Sequence, residues 1–132
     1  MSELERLVEI GTLTREPPAT GEVSGLRGSG EARLVDAANR SLALESRFDL
    51  TYNAAHSLAL AALRRLGYRP RNRYAVFQAL THTLSIPAAT WRVLAKGHDV
   101  RNRAEYEGTL DIDERLVGDM IAAATAVRDA LR

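Results

Sequence analysis

Apolar positions along this chain recur three and four residues apart almost throughout, in blocks separated by glycine, proline and short polar runs. The first block is brief. Ser2 and Glu5 form a capping box ahead of Leu4, Leu7 and Val8, which predicts a helix to about Ile10, stopped by Gly11. Residues 12–21, TLTREPPATG, have the Thr, Pro and Gly content of an extended linker. Val23, Leu26, Leu34, Ala37 and Ala38 then share one stripe. Gly25, Gly28 and Gly30 each cost a helix up to about 1 kcal/mol relative to Ala, so the start of this helix is open and its body is expected over residues 31–42.

Residues 45–66 carry Phe48, Leu50, Ala54, Ala55, Leu58, Ala61, Ala62 and Leu63 around most of the helical circumference, as a central helix does. Its alanines permit close neighbours, and Gly67 suits a left-handed cap. After a loop YRPRNR, Val76, Phe77, Leu80 and Leu84 predict one helix over residues 74–84, broken by Pro87. Pro87 also fits the first turn of the next helix, which carries Trp91, Leu94 and Val100. A connection over residues 108–112 leads to Asp113 as a cap, and Leu116, Val117, Met120, Ile121, Ala124, Val127 and Leu131 pattern the last helix. No alternating strand pattern of useful length occurs. The expected fold is therefore all-α: an up-and-down bundle of four or five helices over residues 22–132, with residues 1–21 as an N-terminal helix and linker.

A chain of 132 residues can bury about two-thirds of its unfolded surface, enough for one real core. Cysteine is absent, so disulfides, thiolate metal sites and cysteine nucleophiles are excluded, and a reducing cytoplasm is the expected compartment. Glu3 and Glu5 stand where a signal peptide carries positive charge, and no apolar run approaches the about 18 residues of a membrane span, so no membrane partner is expected. The net charge of +1 gives no global argument for nucleic acid; any such case rests on local charge. Lys96 is the only lysine, and codon usage in a GC-rich genome is a competing explanation for so much arginine.

Two local clusters change the picture. In VRNRAEYEG, residues 100–108, Arg101 offers a planar fork for phosphate, Asn102 a donor and an acceptor, and Tyr106 a phenol that donates or stacks. His98 lies one turn before Arg101 and is a candidate proton carrier. The structural alternatives are a helical Arg101–Glu105 ion pair, Tyr106 packed over the bundle end and His98 without a partner. In RRLGYRPRNRY, residues 64–74, Arg69, Arg71, Arg73 and Tyr74 are candidate RNA contacts, while Arg64 and Arg65 also suit the negative end of a helix dipole. His56 is expected as a core or edge residue and His82 as a surface one. The three histidines are too dispersed for a metal site, and no phosphate-loop, dinucleotide or nucleophile-elbow motif occurs, so neither metal nor cofactor is expected.

The order of elements over residues 31–131 resembles the HEPN superfamily of small helical bundles. Tyr52, Asn53, Ala54 and Ala55 in a central helix ending at Gly67 are similar to that family's pattern, as is Arg101-Asn102 in RNRAEY, where Tyr106 occupies the family's His position. The resemblance implies an RNA- or nucleotide-binding protein, a metal-independent ribonuclease of toxin-antitoxin type or a partner of a nucleotidyltransferase, working as a homodimer. It also implies roles: Arg101 stabilises transition-state charge and Asn102 positions a phosphate oxygen. Tyr106 stands in place of His, and a tyrosine phenol, which as a residue type titrates near about 10, is a poor proton shuttle. The competing function is a catalytically silent helical-bundle interaction module.

Overall fold

The computed structural model describes residues 1–132, and its element order is α1 (Glu3–Glu9), β1 (Leu13–Arg15), α2 (Glu22–Ala37), α3 (Leu44–Arg65), β2 (Tyr68–Pro70), α4 (Arg73–Gln78), α5 (Leu80–Thr83), α6 (Ala88–Glu107) and α7 (Glu114–Leu131). The fold is all-α apart from one two-stranded ribbon. No helix is long and apolar enough to cross a membrane.

The local signals act where expected. Ser2 Oγ accepts from Glu5 N at 3.1 Å and Asp113 Oδ1 from Leu116 N at 2.8 Å, capping α1 and α7. Gly108, at φ 72°, ends α6 with its N–H on Ala104 O. α3 is central, burying Phe48, Tyr52 and Leu58 against residues of α2, α4, α5, α6 and α7. Its small residues matter most opposite Gly30, where an added Cβ would lie 2.7 Å from Leu58 Cγ and 3.1 Å from Ala54 O. Gly25 and Gly28, by contrast, face open space.

Three boundaries depart from expectation. α2 starts at Glu22 in spite of its glycines and stops at Ala37 rather than near Leu42. Two features oppose further turns: Asn39 Oδ1 folds back on Ser41 N and Oγ at 3.1 and 2.7 Å, and buried Arg47 takes the Ala37 carbonyl at 2.9 Å. The helix expected over residues 74–84 is two pieces, α4 and α5, with the break at Ala79. The linker is extended, as expected, but it is also paired: Leu13, Thr14 and Arg15 oppose Pro70, Arg69 and Tyr68 in antiparallel register. Strands of three residues are too short to leave a period in the sequence.

Residues 1–21 pack against the bundle. Leu4 and Leu13 form a small core with Leu63 and Ala79. Arg64, completely buried, ties the segment down. Its Nε donates to Glu22 Oε2 at 2.8 Å and Nη2 to Glu22 Oε1 at 3.2 Å, while Nη1 and Nη2 donate to the carbonyls of Glu16 (2.7 Å), Tyr68 (3.1 Å) and Pro17 (3.1 Å). The helix-dipole reading of Arg64 therefore gives way to a buried clamp. The Arg64 guanidinium, helped by the Ala19 N–H, holds the Glu22 carboxyl at about 2, so its stabilising effect is complete above pH 4.5 and disappears toward pH 2.

Removing the guanidinium takes the donor from three carbonyls and leaves the Glu22 carboxylate with only the Ala19 N–H and the more distant Arg69. Arg64→Met is expected to lower unfolding free energy by about 3 kcal/mol in urea denaturation. A loss below about 1 kcal/mol, the range of exposed ion pairs, would show that water replaces the clamp.

Candidate functional site

Three elements converge on one face. α3 contributes Tyr52 and His56, four residues apart and so on one side of the helix. α4 contributes Arg73 and Tyr74 in its first turn, set by Asn72, whose Oδ1 accepts from Ala75 N at 2.9 Å. α6 contributes His98, Arg101 and Asn102, again at spacings of three and four.

Tyr52 is fully buried and its hydroxyl lies 3.1 Å from His98 Nδ1. Asn102 Nδ2 lies 3.0 Å from His98 Nε2 on the other side of the ring. A neutral imidazole needs one donor and one acceptor, and this arrangement supplies either tautomer: the tyrosine hydroxyl rotates and the Asn102 amide turns over to match. Tyr74 meets His98 edge-on at 6.1 Å. Phe77 closes the floor, edge-on to both Tyr52 and His56 at 6.0 and 6.3 Å.

Two cations crown this group. The guanidinium carbons of Arg101 and Arg73 lie 5.1 and 5.8 Å from the centre of the Tyr52 ring. Arg101 also pairs with the exposed Glu105 at 3.4 Å, whereas Arg73 has no carboxylate partner. Burial, reinforced by Arg73, His98 and Arg101, lowers the His56 pKa to about 4. His98 is also lowered, chiefly by burial, with Asp99 opposing and Arg101 and Arg73 assisting. Both imidazoles are thus neutral near pH 7, under two positive charges. Beside them a cavity of about 240 Å³ is lined in part by His56, Asn72, Arg73 and Arg69. Neutral proton acceptors under converging guanidinium groups suit an anionic ligand such as a phosphodiester. No cluster of His, Asp and Glu with metal-holding geometry is present.

The structure brings together His98, Arg101, Asn102, Arg73 and Tyr74; Arg69 reaches only the wall of the adjoining cavity, and Arg71 and Tyr106 lie apart. Tyr106 is 91% exposed and neither joins the cluster nor packs over the bundle end. The cause lies in α6, which from residue 105 onward has left its neighbours and is exposed on every side. Arg69 is held by Glu16 at 2.5 Å, and Arg71 donates to Gly11 O at 3.2 Å, so both serve the N-terminal segment. Asn102, read as a phosphate ligand, has its amide on His98. His82 is exposed, as expected. His56, expected as a core or edge residue, stands beside the cleft, a place that its four-residue spacing from Tyr52 signals in the sequence. Comparisons of the chain with protein families, with curated proteins and with solved structures give no match.

The lowered pKa of His56 has a measurable consequence. Below pH 6.5 the unfolded chain takes up a proton that the native state refuses until about pH 4, so stability is complete above pH 6.5 and falls between those limits. At pH 5 the loss from this residue is about 2 kcal/mol. Melting temperature is expected to fall from pH 7 to pH 5, and His56→Leu to flatten that fall; an unchanged slope would place the acid-sensitive group elsewhere.

Proposed function

We propose that this chain is a HEPN-like RNA-binding protein that seats the RNA backbone where α3, α4 and α6 meet. One observation carries the reading: Arg73 and Arg101 converge on the buried Tyr52 ring, whose hydroxyl holds a neutral His98. A phosphodiester beside the two guanidinium groups is held by charge-assisted hydrogen bonds and lies within the reach of the imidazole. The up-and-down order of the four long helices and the homodimer belong to the same reading. A nucleotidyltransferase is the protein partner consistent with it.

Cleavage follows from this arrangement without a metal. His98 takes the proton from the ribose 2′-hydroxyl as its oxygen attacks phosphorus, Arg101 stabilises the charge on the phosphorane, and the proton returns to the departing 5′-oxygen. The products are a 2′,3′-cyclic phosphate and a 5′-hydroxyl. Because Tyr52 and Asn102 occupy the two ring nitrogens, Asn102 must release Nε2 to substrate; it is the half-exposed partner, while Tyr52 is buried. His98, one turn from Arg101, here takes the role that the resemblance gave to the position of Tyr106.

A second reading is a silent interaction module, favoured by the Arg101–Glu105 ion pair. The two separate experimentally. On the first, Arg73→Ala and Arg101→Ala each weaken binding of single-stranded RNA about tenfold and lower the salt slope by about 0.7, with melting temperature nearly unchanged. His98→Gln reduces cleavage at least about 100-fold with binding retained, and Tyr106→Ala leaves both binding and cleavage intact. Loss of several degrees in melting temperature with no effect on RNA would favour the interaction module.

A further inference from the structure

We infer that Trp91 and Tyr74 form a base-stacking corner beside the phosphate cleft, with the Arg92 guanidinium over the Trp91 ring, so that the ligand is single-stranded RNA presenting an unpaired base. The inference rests on the RNA reading above and names its substrate class. Trp91, the only tryptophan in the chain, lies on α6 seven residues before His98, two turns and about 10 Å along the same helix face. Tyr74 bridges the interval. Its ring centre is 6.4 Å from that of Trp91, at an interplanar angle of 88°, and 6.1 Å from that of His98.

Two rings nearly perpendicular make an inside corner: a flat base stacks on one face and meets the other ring edge-on. Both rings remain open to solvent in part, Tyr74 at 39%. The Arg92 guanidinium carbon lies 5.8 Å from the Trp91 ring centre, and neither Arg92 nor Arg73 is neutralised by a carboxylate. Aromatic rings interleaved with free guanidinium groups grip bases and backbone together, and a duplex, whose base faces are already stacked, cannot enter the corner. Trp91 also packs its inner side against the core, which holds the exposed side in place.

The test uses the full-length protein with labelled single-stranded oligoadenylate, an abasic ribose-phosphate chain of equal length and duplex RNA. Anisotropy reports binding, and the emission of Trp91 reports the corner. Oligoadenylate is expected to quench Trp91 in step with binding. Abasic chain and duplex are expected to bind about tenfold more weakly and leave the emission unchanged. Trp91→Leu, which keeps apolar packing without a stacking ring, should lose that tenfold while melting normally, and Trp91→Phe should recover most of it. If Trp91→Leu melts early, Arg92→Ala, which removes the exposed guanidinium over the Trp91 ring, carries the same test with a smaller, about threefold, loss. Equal binding of abasic and base-bearing chains, with Arg73→Ala weakening both, overturns the corner and leaves the phosphate cleft standing. Binding of none of the three overturns both.

Discussion

Arg64 fixes how the rest of the chain leaves the central helix. Its guanidinium, buried at the end of α3, binds the Glu22 carboxylate through two nitrogens and the carbonyls of Glu16, Pro17 and Tyr68 through the remaining donors. Those partners belong to the approach to α2, to the first residue of α2 and to β2. A planar fork satisfies them together because its donors point in fixed directions. The direction of β2 then carries the chain to Asn72, which caps α4 and sets Arg73 and Tyr74 over the site. The Tyr52–His98 cluster therefore depends on a residue that touches none of its members.

Arg47 does a related task nearer the other end of α3. With only 4% of its surface exposed, it takes the last carbonyl of α2 at 2.9 Å and the Glu114 carboxylate at the start of α7 at 3.2 Å. Buried guanidinium groups at both ends thus anchor neighbouring helices to α3. Burying these charges is tolerable because their donors meet carbonyls and carboxylates; unpaired, each would be strongly destabilising. The arginines of this chain accordingly divide in use. Arg47 and Arg64 are saturated by protein, whereas Arg73 and Arg92 hold only an aromatic ring and keep their donors free.

The same contrast distinguishes the polar groups of α6. His98 and Asn102 are tied to Tyr52 through the imidazole, so the ring is held in position before any ligand arrives. Tyr106, one turn further on, has no such tie. Position along one helix decides this, because α3 and α4 cover the middle of α6 and not its last turn.

The sequence by itself determined the helices and their punctuation: the caps at Ser2 and Asp113, the stop at Gly108 and the central α3 follow from short-range spacing and backbone chemistry. It also marked Arg101, Asn102 and His98, since residues three and four apart must share a helix face. Pairing of β1 with β2 and the burial of Arg64 were decided only in three dimensions, because their partners lie tens of residues away. So was the choice among candidates. Glu16, at the N-terminal end, captures Arg69, Tyr52 reaches across 46 residues to His98, and no neighbouring helix covers Tyr106. Local spacing can say which side chains face one way. Which long-range partner each one meets, and whether that leaves its donors free, is set by how the helices pack.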